Sequence, residues 1–516
     1  MPSLKEDASF IEFLALGATA TERAIEFLNE RGHNVIELER GALSSRLWEN
    51  KEKALRVPDL LCLNCGRTLE SRGKQNLEIK MSQSTSSEDR QWDYDADDED
   101  WVALVKCTKD GERPRDWKAP EIVNIVSYDK LRDTVDMTKQ ERGGPTQGSE
   151  LTIEWPSSTA SADGIVKQIT DEDRIQISRD SDGYTLSYNL DKKIDDDEYI
   201  TMEPLVEQGE FVKGESQFIA APFELVNEPE LSCSNDYEVK EFVDNINSDS
   251  FSDRFAAIKA LGYLYSEEGI SKLEEVISDD ELNPFVRLEA AASLAKQNQE
   301  SGWEYLQNIL ESADDDMANQ RLEVTIILGE ISSQKSAEIL STILTDDSGY
   351  DEIRAEAAHS LGLLEATDSL DNLIQSFELE SNFIRRDAVK AAAEIITGSE
   401  DSVIEGLNAA NNDRQLGCAL AVAEAGTDVV TTVLQEAENL PKDGIAIALS
   451  LMDESEIDSI IEERELDQEI VFAATTMSSF FNSWADLLSE DLRYELRNEI
   501  EEDEETRQAT LEATQD

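Results

Sequence analysis

The sequence predicts a multidomain protein with an N-terminal α/β domain, a middle antiparallel β domain and a C-terminal all-α solenoid. Three observations in the 516 residues support this prediction. A motif that begins with Arg recurs in the second half of the chain. Short strand-like runs, broken by Gly, Pro, Asp and Ser, fill residues 131–228. Helical and strand patterns alternate before them, and the length itself favours several domains.

The N-terminal domain is expected to span residues 1–130. Thr19 to Glu22 fits a capping box before a helix that Gly32 would end. A strand is expected to follow from His33. Further strands are expected from Trp101 and at residues 59–64, 68–72 and 76–81.

In this domain a helix and a strand are followed by a Pro-Asp pair at the next strand and by a Glu-x-Lys on a following strand. This order of elements and motifs resembles the PD-(D/E)xK nuclease fold. This fold is restriction-endonuclease-like. The matching residues are Asp59, Glu78 and Lys80, with Glu22 on the preceding helix as a further acid. The resemblance implies that two carboxylates hold Mg²⁺ and that Lys80 orients the attacking water. The alternative is ordinary polar residues on half-exposed strands, or a fold relic without activity.

The hairpin that contains Asp59 allows a second assignment of the acidic pair. A tight turn about Asn64 and Cys65 would place Asp59 opposite Glu70. The motif would then be Glu70-Ser-Arg72, with Arg in the position of Lys. Both assignments stay open at this stage.

A local excess of basic residues favours contact with nucleic acid. Residues 40–80 contain nine basic and five acidic side chains, a balance of +4 in a chain whose formal net charge is −68. Phosphate groups are the obvious ligands for such an island. We therefore treat residues 40–80 as a candidate nucleic-acid contact.

Cysteines in the same hairpin suggest a different kind of site. Cys62-Leu-Asn-Cys65-Gly is typical of a zinc knuckle, and a structural zinc site needs four ligands. Cys107 and His33 flank candidate strands and could complete a Cys₃His set. The alternative is plain thiols on a strand. Thioredoxin-like chemistry is disfavoured because the motif does not begin a helix.

The middle segment, residues 131–228, is expected to form a small antiparallel β barrel or sandwich. Its strand-like runs alternate with turn clusters, and no catalytic motif is visible in it. Residues 227–236 are expected to be a linker into the helical region.

Repeats dominate residues 237–500, where a solenoid is expected, followed by an acidic tail at 501–516. Spacings of 33, 34, 33 and 31 residues separate motifs that begin at Arg254, Arg287, Arg321, Arg354 and Arg385. Small residues three, four and eight positions after each Arg would let helices approach closely. One helix pair cannot bury its apolar face alone, so stacked pairs are expected to share a core. The repeated Arg is expected to bridge neighbouring repeats.

The repeat motif resembles the short HEAT-like repeats of the phycobilisome-lyase type over residues 237–430. The resemblance implies a helical scaffold whose surface binds a protein partner. Bilin attachment is suggested by the family name alone, and no residue supports it.

Acidic residues outnumber basic ones by 114 to 46 along the chain. A solvated acidic coat, as in proteins of extreme halophiles, explains this charge because molar salt screens the repulsion. The alternative is an acidic protein that binds a basic partner or mimics DNA. No signal peptide or membrane span is visible, so a cytoplasmic location without membrane contact is expected.

Two functions follow from these patterns. The leading hypothesis is a HEAT-repeat scaffold that mediates protein–protein interaction in a high-salt cytoplasm. The alternative is a Mg²⁺-dependent nuclease or nucleic-acid-binding protein. Mg²⁺ and Zn²⁺ are both candidate cofactors.

Overall fold

The computed structural model describes most of the chain, and its contacts divide it into two compact units. One unit is Lys5–Ser293, and the described residues from Leu294 onward belong to the other. The described residues are 8–38, 57–84, 91–111, 116–142, 150–170, 173–195, 198–312, 314–409, 411–436 and 448–450. The end of the predicted solenoid and the acidic tail lie outside these residues.

The first unit contains a five-stranded sheet with strand order β1-β2-β3-β5-β8. Strands β3 and β5 are parallel, and the other neighbours are antiparallel. The elements of this part are α1 (Ala8–Asn29), β1 (Val35–Glu37), β2 (Leu60–Cys62), β3 (Thr68–Lys74), β5 (Trp101–Lys106), β8 (Asn124–Ser127) and α2 (Tyr128–Asp133). The predicted N-terminal strand-rich region is confirmed.

Helix α1 begins well before the predicted capping box. The helix runs through Thr19, whose hydroxyl donates to the carbonyl oxygen of Ala15 at 2.9 Å instead of capping a helix start. Thr21 bonds back to Gly17 in the same way at 3.1 Å. A hydroxyl that finds its partner one turn back is compatible with a helix interior. The prediction of a start at Thr19 was therefore wrong, whereas Gly32, with φ of +85°, does follow the helix end.

Smaller antiparallel sheets make up the rest of the strand-rich part, with orders β4-β10-β9, β11-β19-β17, β14-β13-β12-β18, β15-β16 and β6-β7. Their strands are β4 (Ile79–Ser84), β6 (Thr108–Lys109), β7 (Trp117–Lys118), β9 (Lys139–Arg142), β10 (Glu150–Trp155), β11 (Ser158–Thr159), β12 (Gly164–Thr170), β13 (Arg174–Arg179), β14 (Thr185–Asn189), β15 (Asp191–Asp195), β16 (Glu198–Thr201), β17 (Glu203–Pro204), β18 (Phe211–Val212) and β19 (Phe218–Ala221). Strand β4 therefore pairs with β10, although β2 and β3, its predecessors in the chain, belong to the five-stranded sheet.

The five-stranded sheet has an apolar core on each face. On one face, Ala20 and Ala24 of α1 pack against Leu60 and Leu69. The opposite face, which includes Val102, packs against a second cluster. That cluster contains Ile79, Met81, Ile153, Trp155 and Phe218. Because side chains alternate along a strand, each position in β2 and β3 is assigned to one of these two faces.

Helices in consecutive pairs form the C-terminal region, which is a helical repeat, solenoid-like region as predicted. They are α3 (Val239–Asn245), α4 (Phe251–Ala260), α5 (Glu267–Ser278), α6 (Pro284–Lys296), α7 (Glu300–Leu310), α8 (Ala318–Glu330), α9 (Gln334–Thr345), α10 (Asp351–Leu363), α11 (Leu370–Ser376), α12 (Asn382–Ile395), α13 (Glu400–Leu407), α14 (Asn412–Ala425) and α15 (Thr427–Glu436). Among the described residues, no helix combines the length and apolar character needed to cross a membrane.

At three of the five motif positions, the repeat Arg binds the end of the preceding helix, whereas Arg385 donates to the side chains of Asn382 and Asp413. Arg287 donates to the carbonyl oxygen of Ile277 in the last turn of α5 at 3.3 Å. Arg354 donates to that of Leu344 in the last turn of α9 at 3.0 Å. Arg321 binds a carbonyl just beyond α7. A guanidinium at this position donates a hydrogen bond to a carbonyl oxygen that has no partner within its helix. Its positive charge also interacts favourably with the negative end of the helix dipole. The predicted bridging role is thus confirmed for these repeats.

Small residues allow the first helices of successive repeats to approach closely. A Cβ on Gly262 would lie 2.9 Å from Ser293 Oγ, and one on Gly329 would lie 2.7 Å from Ser360 Oγ. In the space that such a Cβ would fill, Ser293 donates to the carbonyl oxygen of Ile258 at 2.8 Å, and Ser360 donates to that of Thr325 at 3.2 Å. The glycine eight positions after the repeat Arg is therefore required for close backbone contact.

Candidate metal centre

The Cys-x-x-Cys segment forms the turn between β2 and β3. Leu60 pairs with Leu69, which is the register predicted for a tight turn about residues 64 and 65. The amide of Cys62 donates to the carbonyl oxygen of Arg67 at 2.9 Å, and the amide of Gly66 donates to that of Cys62 at 2.9 Å. The turn thus holds both cysteine sulfurs on one side of the sheet edge.

His33 reaches the same point from the end of α1. The turn at Gly32 brings the imidazole, which is buried, toward the hairpin. Its Nε2 lies 3.1 Å from the carbonyl oxygen of Leu231. Its Nδ1 lies 3.6 Å from Cys65 Sγ. A carbonyl at Nε2 favours the tautomer with the proton there, which leaves the Nδ1 lone pair facing the sulfur.

A third segment, predicted to be a linker, supplies Cys233. Its amide donates to the carbonyl oxygen of Arg31 at 3.2 Å, next to the turn that carries His33. Its sulfur lies 3.8 Å from Cys62 Sγ. The ligand atoms of His33, Cys62, Cys65 and Cys233 all lie within 4.8 Å of one another. This donor set, three thiols and one imidazole, is the kind that Zn²⁺ takes in structural sites.

Cys107 does not join this group. It follows β5 on the face that packs against α1, where its sulfur lies 4.0 Å from the carbonyl oxygen of Leu16 and 3.8 Å from that of Val105. Burial raises the pKa of this thiol to about 11. The predicted ligand set therefore needs a correction, since strand alternation directs Cys107 into the core. Cys233 was missed because nothing local links it to the hairpin; the only signal was an unassigned cysteine in a polar segment.

The four donors perturb one another electrostatically. The hydrogen bond from Cys65 is the main cause that lowers the pKa of Cys62 to about 3; burial opposes it, and His33 and the amides of Asn34 and Asn64 assist it. The same Cys62–Cys65 bond, together with burial, raises the pKa of Cys65. Burial also raises the pKa of Cys233. The hydrogen bond between Cys62 and Cys65 therefore favours the thiolate at Cys62 and the thiol at Cys65.

The carboxylates of the nuclease-like motif lie elsewhere on the sheet. Asp59 directly precedes β2, whose first residue, Leu60, pairs with Leu69 of β3, the neighbour of Glu70. Asp59 Oδ2 accepts a hydrogen bond from the amide of Ser71 at 2.6 Å. Glu70 forms an ion pair with Arg72 at 2.9 Å. The second assignment of the motif, Asp59 with Glu70-Ser-Arg72, is the one that neighbouring strands bring together.

Glu78 and Lys80 are associated with a different sheet. Lys80 lies on β4, opposite Glu154 of β10, with an N–O distance of 3.4 Å. Lys80 Nζ also lies 3.9 Å from Glu78 Oε2. The turn after β3 takes the chain out of the five-stranded sheet, so these two residues are not strand neighbours of Asp59.

Glu22 is likewise separated from the acidic pair. It is exposed on α1, which packs on the face of the sheet that carries Leu60 and Leu69. Asp59 and Glu70 alternate with those residues and therefore point to the opposite face. Glu22 cannot share a metal ion with them in this arrangement.

Only part of the predicted basic segment is described, since residues 40–56 lie outside the described ranges. Of the remaining cations, Arg67 stacks over Trp101 at 4.2 Å. Lys74 donates to the carbonyl oxygen of Lys80 at 3.0 Å, and burial lowers its pKa to about 8. With Arg72 and Lys80 in ion pairs, these basic groups have protein partners, and nucleic-acid contact through residues 40–80 stays a prediction.

Comparison with known proteins bears on the helical region. Residues 239–323 match the family model of HEAT repeats. This match covers a minor part of the chain and supports a HEAT-like array there. No curated protein matches the sequence.

Solved structures are similar to this chain over 37% to 49% of its length. The complex of CpcE and CpcF of phycocyanin lyase from Nostoc is 16% identical over 49% of this chain and 98% of its own, with a TM-score of 0.25. Human deoxyhypusine hydroxylase is 16% identical over 47% of this chain and 96% of its own, with a TM-score of 0.21. A designed armadillo repeat protein is 16% identical over 37% of this chain and 100% of its own, with a TM-score of 0.22.

Proposed function

We propose that this protein is a scaffold that binds a protein partner through its HEAT-like helical region. The supporting observation is an exposed aromatic pair in the segment that matches HEAT repeats. Tyr263 and Tyr265, between α4 and α5, are 47% and 67% exposed. Aromatic side chains are enriched in protein interfaces because they bury a large area and keep a polar group for hydrogen bonding.

Carboxylates beside the tyrosines indicate the chemistry of the partner. Glu267 and Glu268 are exposed in the first turn of α5. A partner surface with Arg or Lys next to an apolar patch would suit this combination. At molar salt the Debye length is about 3 Å, so the aromatic contacts would then contribute most of the affinity.

Partner capture by the full chain tests this proposal. A Tyr263→Ser/Tyr265→Ser variant is expected to bind the partner recovered by the parent at least about tenfold more weakly, since aromatic anchors dominate interfaces. The control is Tyr184→Ser/Tyr199→Ser, which alters tyrosines that are 62% and 65% exposed in the strand-rich part. Equal binding by parent and first variant would contradict the assigned surface. Repeated recovery of the bait alone would contradict the scaffold function.

A second candidate function is Mg²⁺-dependent cleavage of nucleic acid. What supports it is that Asp59, directly before β2, accepts a hydrogen bond from the amide of Ser71, the neighbour of Glu70 on β3. Two carboxylates that lie close together can share a hard cation. The departure from the motif is Arg72, which cannot act as a base. Any water activation would therefore depend on the metal ion itself.

Plasmid and single-stranded DNA, incubated with Mg²⁺ or Mn²⁺ across a salt series, would test this candidate. Asp59→Asn and Glu70→Gln are expected to reduce cleavage at least about 100-fold, because each removes a charged ligand. Glu78→Gln and Lys80→Ala serve as controls, which are expected to cleave like the parent. The Asp59–Glu70 site would be excluded if the parent did not cleave DNA, or if cleavage were lost only in the control variants.

A further inference from the structure

Three separate segments of the chain bring three sulfurs and one imidazole nitrogen together. The ligand atoms of His33, Cys62, Cys65 and Cys233 all lie within 4.8 Å of one another. The carbonyl oxygen of Leu231 lies 3.1 Å from His33 Nε2. A partner at the second imidazole nitrogen is the kind of outer-shell contact that orients a metal-binding histidine.

Two separations within the cluster match those around a tetrahedral zinc ion. Zn–S bonds of about 2.3 Å and a Zn–N bond of about 2.0 Å give sulfur–sulfur distances of about 3.8 Å and sulfur–nitrogen distances of about 3.5 Å. Cys62 Sγ and Cys233 Sγ are 3.8 Å apart. Cys65 Sγ and His33 Nδ1 are 3.6 Å apart. Thiolates and imidazole favour Zn²⁺ over Mg²⁺, which takes oxygen ligands.

The segment that carries Cys233 also packs closely on the hairpin that carries the other cysteines. The amide of Tyr237 donates to the carbonyl oxygen of Asn64 at 3.1 Å. Its ring covers Gly66, where a Cβ would approach within 2.5 Å. Asn245 of α3 donates to the Tyr237 hydroxyl at 2.9 Å. The cluster therefore stands where the chain enters the helical region.

Two further contacts join the first repeat to the α/β part. Asp95 Oδ2 accepts from the amide of Ser252 at 2.7 Å and from the hydroxyl of Ser250 at 3.0 Å, at the start of α4. Lys259, which is fully buried, donates to the carbonyl oxygen of Leu38 at 3.1 Å. These residues all belong to the unit Lys5–Ser293.

We propose that His33, Cys62, Cys65 and Cys233 bind one Zn²⁺ ion, and that this ion fixes α3 and α4 to the α/β part of the chain. Neutral His33 and three thiolates give the loaded site a net charge of −1. Protons still bound to the thiols pass to solvent when the ion binds. The role is structural because four protein donors leave no open position for substrate. It is independent of what the scaffold binds.

Metal analysis of the full chain, purified without a histidine tag, tests the site. The parent is expected to hold one zinc per chain and, with Co²⁺ instead, to show sulfur-to-metal charge-transfer absorption. Cys233→Ala is expected to weaken metal binding at least about 100-fold, beyond the usual effect of losing an outer-shell partner. Cys107→Ala, the matched control, is expected to keep one zinc. Cys233→His, which supplies another ligand, is expected to restore binding and separates ligation from misfolding.

Hydrogen exchange of the full chain with and without metal tests the structural role. Chelation is expected to increase amide exchange in residues 231–260 and in the hairpin, while α12 stays unchanged. Three outcomes would overturn the proposal. They are zinc retention by Cys233→Ala equal to the parent, a zinc-free parent with a disulfide between Cys62 and Cys65 or Cys233, and unchanged exchange at the junction after metal removal.

Discussion

Arg354 donates from its Nε to the carbonyl oxygen of Leu344, so the first helix of one repeat caps the second helix of the previous one. The guanidinium is nearly buried and also contacts Asp347 at 3.1 Å. Replacing Arg354 by Met would keep much of the volume but leave the carbonyl without this donor. The contacts of a repeat are mostly local, so the effect should concentrate in α9 and α10.

Arg354→Met is therefore expected to destabilise these helices by about 1.5–3 kcal/mol, the range for hydrogen bonds to charged groups. Hydrogen exchange of the α9 amides, together with thermal unfolding, measures this loss. Lys272→Met is the control, because the Lys272–Glu275 ion pair, 2.7 Å apart within α5, is more exposed. Its expected cost is about 0.5 kcal/mol or less. Equal effects of the two variants would contradict the capping role.

These repeat positions were predictable because their signal is local. The spacing of Arg254, Arg287, Arg321 and Arg354 follows directly from the sequence, and a solenoid uses each repeat in the same way. The register of the β2–β3 hairpin, which pairs Leu60 with Leu69, was predictable for a similar reason, since a tight turn determines the pairing of its strands.

Long-range pairings were the part that the sequence could not determine. Cys233 meets Cys62 across 171 positions of the chain, and no periodicity reports such a contact. Cys107 looked equivalent because it also follows a strand, but the face it occupies depends on how α1 packs. The pairing of Lys80 with Glu154 is likewise decided by the sheet that forms around Trp155.

Asp95 offers a test of the contact between the loop before β5 and helix α4. Its carboxylate acts as an added N-terminal cap, since it accepts from the amide of Ser252. Asp95→Ala is expected to destabilise the start of α4 by about 1 kcal/mol, the usual effect of losing a cap. Exchange of the amides in its first turn is the measurement. Asp133→Ala, at the exposed end of α2, is expected to change nothing there.

Asp100 should make stability depend on pH. Burial raises the pKa of its carboxyl above 3.8, although the amides of Asp97 and Thr68 donate to it. The folded state then binds more protons than the unfolded state, so this group lowers stability as pH rises above 3.8. The stability of Asp100→Asn minus that of the parent is therefore expected to increase with pH from 3.8 up to the folded-state pKa. The lost hydrogen bonds add a constant to this difference and do not change its dependence on pH.

Asp182 is expected to change stability with pH in the opposite direction. The hydrogen bond from Arg179, assisted by the amide of Tyr184, lowers the pKa of this exposed carboxyl to about 2. The stability of Asp182→Asn minus that of the parent is expected to decrease between pH 2 and 3.8 and then to stay level. Thermal unfolding across pH measures both differences. A flat difference for Asp100→Asn above pH 3.8 would contradict the assigned shift.

Gly66 and Gly183 separate two effects of a side chain at positive φ. Their φ angles are +73° and +70°, so each would be strained by a Cβ to a similar extent. Only Gly66 is also covered, since its Cβ would meet the Tyr237 ring at 2.5 Å, whereas that of Gly183 would meet nothing within 4 Å. Gly183→Ala is therefore expected to cost about 1 kcal/mol, and Gly66→Ala is expected to cost about 1–3 kcal/mol more through overpacking.

Shortening Tyr237 tests whether that additional cost comes from the ring. In the double variant Gly66→Ala/Tyr237→Ala the collision is absent, so the two substitutions are expected to cost less together than the sum of their separate effects. Thermal unfolding of the four proteins in this cycle gives the coupling. Strict additivity would show that the Tyr237 ring does not cover the hairpin in solution. It would also contradict the contact between Tyr237 and Gly66, by which the segment that carries Cys233 packs beside Cys62 and Cys65.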